Sequence, residues 1–405
     1  MKVLYYSPLP PSRSGIADYS ALLLPALRRR IEVVTARPGR FRRAPNADVA
    51  LYHVGNDPEA HGWIVEALRR RPGVVVLHEI VLHHLVAGIT LARGDAAGYL
   101  AAMERDHGLA GRLLAYGVLD NRIPPLWETR PQDFPLAGEI LRLADGLIVH
   151  SRYVEERARE AGYEGTIWRI PHPAWTVPNV EPVAVEGRPL IGCFGHVNES
   201  KRIPQLYAAF AQLHERRPDA RLLVVGSATP RVADLAVPEG AVREGYVDEG
   251  RLWSLMAACD IVVSLRSPTM GETSGSVIRT LSLGRPLVVS DVGWFSELPD
   301  TVAVKVAPDE REVETLATEL ERLAGDEDAR RAMGEAGRAL AASDHDLERV
   351  AELYVAALED AAGGEELRDA VVRELAVAAA EVGIGTNDPE AKELAARLRE
   401  GGLGG

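Results

Sequence analysis

Short apolar runs alternate with longer amphipathic stretches in the first part of the chain, and this alternation constrains the fold more than any other feature. Apolar runs typical of buried strands occupy residues 2–7, 32–36, 49–54, 74–78, 147–150 and 166–170. Residues 16–30 and 58–71 have the apolar spacing of helices. Strands that alternate with helices predict a parallel sheet covered on both faces, so residues 1–172 are predicted to form one α/β domain.

The same alternation starts again after residues 173–188, which contain three prolines and no periodicity and are predicted to be a linker. Strands are predicted at 189–194, 221–225, 261–265 and 286–290, and helices at 203–216, 249–258 and 275–283. Residues 189–342 are therefore predicted to form a second α/β domain in tandem with the first.

Two regions depart from this rhythm. Residues 80–145 contain no convincing strand, only helical segments such as 96–117 and 135–144, and are predicted to be a helical insertion at a strand end, where binding sites usually form. From residue 311 the chain is predicted to be helical, with breaks at 363–364 and 383–387 and a frayed end. The helices of 343–405 form an extension. We expect the first to cross back to the first domain, and the tail to cover that domain or pair with another subunit.

The composition is that of a folded, soluble protein. The chain has 405 residues, of which 46% are hydrophobic and 26% charged, so disordered, fibrous and polytopic membrane proteins are excluded. Cys193 and Cys259 lie inside apolar runs and provide neither a disulfide framework nor a zinc site. The N-terminus lacks the plan of a signal peptide, so a cytoplasmic location is expected.

Charge is unevenly distributed. The net charge is −13, but residues 1–180 carry 22 Lys/Arg against 19 Asp/Glu, whereas the rest carry 24 against 40. The acidic total argues against a nucleic-acid partner. One hypothesis is that the basic side of the first domain contacts an anionic membrane or acceptor, and solvated helix ends and loops are the alternative. The basic residues concerned are Arg28, Arg29, Arg30, Arg37, Arg40, Arg42, Arg43, Arg69, Arg70 and Arg71.

No motif predicts a metal or a redox cofactor. The histidines at 78, 83 and 84 superficially match a zinc-protease helix, but that motif needs two histidines four residues apart, and these are five and six apart. The acidic run 326–328 opens a predicted helix, where carboxylates favour the macrodipole. No Gly-x-Gly-x-x-Gly follows a strand, so the fingerprint of dinucleotide dehydrogenases is missing.

Two loop-to-helix junctions and one basic loop point to an anion. Gly15 follows the first strand, and a run of small polar residues precedes the helix at 275–283; each junction offers free backbone amides at a helix start. Ordinary capped helix starts are the alternative. The loop after the second domain's first strand adds cations. Together they suit a diphosphate held without a metal, with these candidate ligands: Gly15, His196, Lys201, Arg202, Thr273, Ser274, Gly275 and Ser276.

Several segments, in order and spacing, resemble those of the retaining nucleotide-sugar glycosyltransferases of family 4. They are residues 10–20, His78 at a strand end, 144–151, 170–173, 195–201, 258–264 and 283–293, and the resemblance covers about residues 1–360. The resemblance implies the GT-B fold, in which two Rossmann-like doubly wound domains face each other across a cleft. It implies that the first domain binds the acceptor and the second the nucleotide-sugar donor.

The resemblance also implies residue roles and a mechanism. His78 would orient the donor sugar, Glu272 would bind its hydroxyls, and Lys201 with Arg202 would hold the departing diphosphate. The implied reaction is a metal-independent, front-side transfer of a hexosyl group from a nucleoside-diphosphate-sugar to a hydroxyl of a glycan, glycolipid or small molecule. The departing phosphate itself would take the acceptor proton. The acceptor-side candidates lie at the helix start after the first strand and in the insertion. They are Ser14, Asp18, Arg93, Tyr99, Arg105 and Trp127.

Three positions depart from the family pattern or leave a role open. The second family glutamate, which usually holds the ribose, would fall at Arg279 or Thr280. His196 stands where an arginine is common, and it carries a full charge only when protonated. Glu297 matches a further family glutamate or is a helix-start acid. The alternatives to a transferase are a nucleotide-sugar epimerase of the same architecture and a catalytically inactive partner subunit; a phosphorylase and a dehydrogenase are disfavoured.

Overall fold

The first sheet is made of the six strands that the apolar runs predict. The computed structural model describes residues 1–12, 14–39, 46–385 and 388–400, with the side chains of 364–371, 381 and 398–400 left aside. All strand pairs in this sheet are parallel, in the order β2-β1-β3-β4-β5-β6. The strands are β1 (Lys2–Tyr6), β2 (Glu32–Thr35), β3 (Val49–Val54), β4 (Gly73–Leu77), β5 (Ala144–Val149) and β6 (Thr166–Arg169).

Helices cover both faces of this sheet. Their apolar sides pack against alternate side chains of the strands and form two separate buried cores, one on each face. The helices are α1 (Gly15–Arg28), α2 (Pro58–Leu68), α3 (His83–Thr90), α4 (Ala96–Leu119), α5 (Leu126–Thr129), α6 (Gly138–Leu143) and α7 (Arg152–Glu160). Helices α3 to α6 form the predicted insertion, which has a small core of its own, and α4 is kinked at Gly108 (φ 62°).

The second domain repeats the architecture with another six-stranded parallel sheet, in the order β12-β11-β10-β7-β8-β9. Its strands are β7 (Leu190–Phe194), β8 (Arg221–Val225), β9 (Ala241–Glu244), β10 (Ile261–Ser264), β11 (Leu287–Ser290) and β12 (Ala303–Val306). Its helices, with those of the extension, are α8 (Ile203–Arg216), α9 (Pro230–Ala233), α10 (Glu249–Ala258), α11 (Gly275–Leu283), α12 (Glu312–Gly325), α13 (Glu327–Ser343), α14 (Leu347–Glu381) and α15 (Pro389–Glu400). The predicted pair of parallel-sheet domains is confirmed.

Strands β9 and β12 are absent from the sequence prediction. They are the two edge strands, each is four residues long, and each has partly exposed side chains. The pattern that identified β2 and β6, which are the edge strands of the first sheet, did not identify these two.

Helix α14 leaves the second domain and packs against the first. Val350, Tyr354 and Leu358 are fully buried against the α1 side of the first sheet, and the hydroxyls of Tyr354 and Tyr19 lie 2.7 Å apart. The helix continues through residues 363 and 364, so the break predicted there is wrong. Two glycines cost only about 1 kcal/mol each in a helix interior, which does not stop a helix of this length.

The two domains contact each other through loops at the carboxyl ends of their strands. The N–H groups of Ile80 and Val81, after β4, donate to the Met270 carbonyl, after β10, at 2.9 and 3.2 Å. The Glu297 carboxylate accepts the first N–H groups of α7, from Arg152 and Tyr153, at 3.0 and 2.7 Å. Glu297 is therefore a helix-start acid, but for a helix of the opposite domain.

Several arginines of the basic side already have carboxylate partners. Arg29 and Arg30 both pair with Glu348 of α14, and Arg69 pairs with Glu139. Arg40, Arg42 and Arg43 lie outside the described residues. These pairs reduce the positive charge that this side offers to a membrane. None of the described helices combines the length and the hydropathy that crossing a bilayer requires.

Removing the Tyr354 ring should uncouple α14 from the first domain. Tyr354→Ala deletes a fully buried aromatic side chain and is expected to lower the free energy of unfolding by about 3–5 kcal/mol in urea titrations. The neighbouring Leu353, 38% exposed, provides the matched control, and Leu353→Ala should cost less than about 1 kcal/mol. Equal effects of the two changes would contradict the docking of α14.

Candidate functional site

A cavity of about 210 Å³ lies between the two domains, at the carboxyl ends of both sheets. Parallel strands bring their following loops to one edge of the sheet, which is why residues distant in sequence meet here. The cavity is lined by residues of both domains and of the linker: Ser14, Gly15, Ile16, Tyr19, Asn56, Asp57, His61, His78, Glu79, His172, Trp175, Glu272, Thr273, Gly275 and Arg279.

Two helices begin at this cavity. Ser14 caps α1 by accepting the Ala17 N–H at 3.1 Å, and Ser274 caps α11 by accepting the Val277 N–H at 3.4 Å. A Cβ at Gly15 would meet no atom within 4 Å, so a ligand can approach the backbone there. Each helix start carries partial positive charge from its free amides. The starts of α1 and α11, which are the two predicted loop-to-helix junctions, therefore face the same cavity. Their combined partial charge favours binding of an anion there.

His78 lies at the end of β4 with its ring directed into the first domain. One ring nitrogen, Nε2, lies 2.9 Å from Nδ1 of His53, and the Tyr19 ring packs edge-on against it. Burial and the neighbouring histidines hold the pKa of His78 well below its usual value of 6.5. The imidazole is therefore neutral at pH 7, and His53 fixes which nitrogen can face the cavity.

Further neutral histidines support His78 from below. The rings of His150 and His172 pack against Tyr19, and the Nδ1–H of each ring donates to a backbone carbonyl, that of Ile170 and of Pro173 respectively. Burial lowers the pKa of His150 to about 4 and that of His172 well below 6.5. His345, at the start of the helical extension, contacts the His172 carbonyl at 2.7 Å, so the extension reaches the floor of the site.

Glu272 is held by three groups at the mouth of α11. Its carboxylate accepts the Met270 N–H at 2.7 Å and the Thr269 hydroxyl at 3.1 Å, and it lies 2.7 Å from Nε of Arg266. These contacts orient the carboxylate. Glu79 lies nearby, where burial and the charge of Glu272 raise its pKa to about 8. At neutral pH Glu79 is therefore predominantly protonated.

Lys201 is buried beneath the loop that follows β7. Its Nζ donates to the Phe194 carbonyl. A Cβ atom added to Gly195 would lie 3.4 Å from this Nζ and close to the Ser276 hydroxyl, so both groups face Gly195. Burial lowers the pKa of Lys201 to about 8, so the ammonium form still predominates at neutral pH. The Ser276 and Ser274 hydroxyls lie 3.0 Å apart, which places Lys201 beside the start of α11.

Of the eight predicted phosphate ligands, Gly15, Thr273 and Gly275 line the cavity, whereas His196, Lys201, Arg202, Ser274 and Ser276 do not. Arg202 has φ 54° and pairs with Glu312 of α12, whose carboxylate is buried, so its charge is already neutralised inside the second domain. His196 is exposed and is not among the residues lining the cavity. The cationic charge in the cavity wall comes instead from Arg279, which the motif analysis placed only as a departure from the family pattern.

Among the acceptor-side candidates, the structure brings only Ser14 and Asp18 close to the cavity. Asp18 lies 3.9 Å from Arg279. Tyr99 is fully buried and bonds to Nε2 of His83, so it is unavailable to an acceptor, and Trp127 packs on the same pair. Arg93 pairs with Glu66, and Arg105 with Asp106, on the outer surface of the insertion. These four side chains have structural partners instead.

Sequence reasoning missed several residues of the site. Asn56 and Asp57 follow β3, and Glu79 follows β4, so the rule that sites form at carboxyl ends of parallel strands would have identified them. Arg279 lies four residues after Gly275 on α11, a helical spacing that points both to one side. Trp175 belongs to the linker and carries no comparable signal. No group of three or more His, Cys, Asp or Glu among the described residues is arranged to hold a metal ion.

The second domain matches the model of a known family, and most of the chain is similar to known structures. Residues 188–326 match the model of the family described as Glycosyl transferases group 1. Sucrose-phosphate synthase from Thermosynechococcus elongatus is 17% identical with a TM-score of 0.62, covering 89% of this chain and 98% of its own. HepE of Anabaena, solved with UDP and glucose, is 16% identical with a TM-score of 0.60, covering 89% of this chain and all of its own.

A third neighbour, the pneumococcal O-GlcNAc transferase GtfA solved with UDP and GlcNAc, is 11% identical with a TM-score of 0.52, covering 77% of this chain and 57% of its own. No curated protein sequence matches the chain. The two Rossmann-like sheets and these neighbours show that the chain has the GT-B fold. Membership of family 4 in particular stays a prediction.

Acid should unfold the first domain through its buried histidines. His61 and His150 have pKa values of about 4 in the folded protein against 6.5 in a free histidine, so below pH 6.5 the unfolded chain binds more protons. Each such histidine then reduces stability by on the order of 2 kcal/mol at pH 5. We expect Tm to fall as the pH is lowered from 7.5 to 5.

The slope of Tm against pH provides the specific readout. His150→Gln should flatten it, whereas His84→Gln, at an exposed position of the same domain, should leave it unchanged. A slope that is the same in wild type and His150→Gln would show that His150 does not contribute to the acid sensitivity.

Proposed function

We propose that this protein is a retaining, metal-independent glycosyltransferase that moves a hexosyl group from a nucleoside-diphosphate-sugar to a hydroxyl acceptor. The observation that carries this proposal is the shared cavity, which brings His78, Glu272 and the starts of α1 and α11 together from two domains. The GT-B fold and the family match of the second domain support it.

The cavity suits the two parts of such a donor. Glu272 is a carboxylate held by three donors, and a carboxylate accepts hydrogen bonds from sugar hydroxyls. Glu79, protonated at neutral pH, adds a hydroxyl donor beside it. The starts of α1 and α11 face the same space and suit the diphosphate, with Lys201 beside the start of α11.

In the proposed reaction, the bond between the anomeric carbon and the diphosphate breaks while the acceptor oxygen forms a bond to the same face of that carbon. The acceptor proton moves to the departing phosphate oxygen, so no protein base is required. Negative charge grows on the diphosphate during the reaction, and the amides of α1 and α11 with Lys201 stabilise that charge. His78, neutral and held by His53, would contact the sugar through its remaining polar edge.

The acceptor is proposed to enter on the side of the cavity formed by the first domain. Ser14 and Asp18 lie at this side, at the start of α1. On this proposal the first domain binds the acceptor, and the second domain binds the nucleotide-sugar donor. Cytoplasmic location and contact with anionic membrane stay predictions, and the pairs between Arg29, Arg30 and Glu348 reduce the charge available for the second.

The proposal is tested by incubating the protein with UDP- and GDP-sugars, UDP-glucose included. We expect slow hydrolysis of the donor, which mass spectrometry detects as release of nucleoside diphosphate. With an acceptor present, the transferred product should retain the configuration of the anomeric carbon. Release of an isomerised sugar without an acceptor would favour the epimerase instead. Absence of both binding and turnover with all donors would favour an inactive partner subunit.

Lys201→Ala should lower the rate of donor turnover by about 100-fold, because one charge-stabilising donor of the leaving group is lost. Lys305→Ala is the matched control, since Lys305 lies in β12 and pairs with Asp300 at 2.8 Å. Its turnover is expected to equal that of the wild type. Unchanged kinetics in Lys201→Ala would remove Lys201 from the site.

A further inference from the structure

Arg279 is the only Lys or Arg among the described residues that line the cavity. It lies on the second turn of α11 and is buried, with 7% of its surface exposed. A Cβ atom added to Gly275 would lie 3.5 Å from Nη1 of Arg279. The guanidinium therefore folds back over the first turn of its own helix. The charge therefore lies where α11 begins, and not along its outer side.

Trp175 holds the guanidinium in this position. The Arg279 Cζ lies 3.7 Å from the centre of the Trp175 ring, and the same ring would lie 3.3 Å from a Cβ on Gly275. A guanidinium stacked on an indole face keeps its in-plane N–H groups free for hydrogen bonds. The linker thus orients a cation of the second domain toward the space between the domains.

The N–H groups of Arg279 are incompletely paired. Its Nε is buried and has no hydrogen-bond partner among the described residues. Its Nη2 forms long ion pairs with the carboxylates of Glu249 and Asp18, at 3.6 and 3.9 Å, which is beyond ordinary hydrogen-bond distance. Both carboxylates are on exposed side chains, which can turn toward water at little cost. Because a buried guanidinium with unused donors is destabilising, such a site is prepared for an incoming acceptor.

The other cations near the cleft are already occupied. Arg202 pairs with Glu312, and Arg266 lies against Glu272 and donates to the Ser200 hydroxyl at 2.7 Å. The starts of α1 and α11 supply only partial charges. A diphosphate in this cavity therefore has one full charge with free donors in the wall, that of Arg279, in addition to the buried Lys201.

We propose that Arg279 binds a phosphoryl oxygen of the donor diphosphate, between the starts of α1 and α11. This inference rests on the proposed function and names the residue that replaces Arg202 and His196 as the second phosphate-binding cation. A bound diphosphate accepts hydrogen bonds from the N–H groups of Arg279, while the side chains of Asp18 and Glu249 turn to solvent. Arg279 is then a binding residue in a position where the family pattern would have a carboxylate for the ribose.

The test is a titration of the full chain with inorganic pyrophosphate, which has the diphosphate without sugar or base. Heat of binding and tryptophan fluorescence are measured for wild type, Arg279→Gln, Arg279→Lys and Lys201→Ala. Arg216→Gln is the matched control, because Arg216 is an exposed arginine of the same domain that pairs with Glu321. Trp175→Phe identifies which part of the fluorescence change comes from the ring beneath Arg279.

Arg279→Gln is expected to raise the Kd for pyrophosphate by about tenfold or more, the range for losing a charged hydrogen bond. Arg279→Lys should recover part of this loss, Arg216→Gln should match the wild type, and the fluorescence change should disappear in Trp175→Phe. The same order of affinities is expected with UDP and GDP.

Two results overturn the inference in different ways. If wild type binds pyrophosphate, Lys201→Ala weakens binding and Arg279→Gln leaves Kd within about twofold, Arg279 is a bridge between the domains and the transferase proposal stands. A lower Tm of Arg279→Gln at unchanged Kd identifies that bridging role. If wild type binds neither pyrophosphate, UDP nor GDP, the proposed function fails together with the inference.

Discussion

The candidate site depends on one backbone contact between the domains. The Met270 carbonyl, in the loop after β10, accepts the N–H groups of Ile80 and Val81, in the loop after β4. Because these loops also carry Glu272 and His78, this contact sets the distance between the two residues. Glu297 adds a second connection by capping α7 from the opposite domain. Without these contacts between the domains, each domain would present only its own side of the cavity to solvent.

Burial decides which groups in the cavity are charged. The histidines beneath the floor are held neutral, and Glu79 is held protonated. Glu272 is oriented by Arg266 and by two further donors. On the opposite wall, Arg279 retains a charge with unused donors. Under the proposed function, Glu272 and Glu79 would face the sugar hydroxyls of the donor, and the starts of α1 and α11 would face its phosphates.

The helical extension connects a distant part of the chain to this site. Helix α14 buries Tyr354 against Tyr19, and Tyr19 in turn packs edge-on against His78. Just before α14 begins, Nδ1 of His345 contacts the His172 carbonyl. The ring packing beneath the cavity is thus completed by residues that follow the second domain in sequence. The extension is part of the first domain's core even though it follows the second in the chain.

The sequence alone determined the first sheet and the central strands of the second, with the helix starts at Ser14 and Ser274, because apolar periodicity and capping residues are local signals. His78 and Glu272 became candidates only through the resemblance to family 4, and Lys201 through that resemblance and its place in a basic loop. The sequence did not reveal the edge strands β9 and β12, whose side chains are partly exposed. Nor could it separate Arg202 from Arg279, since both are arginines beside a helix start. Only the tertiary structure decided that Glu312 neutralises one inside the second domain, while Trp175 turns the other toward the cavity. The physical reason is that the charge available at a site depends on partners brought together by folding, which the local sequence does not contain.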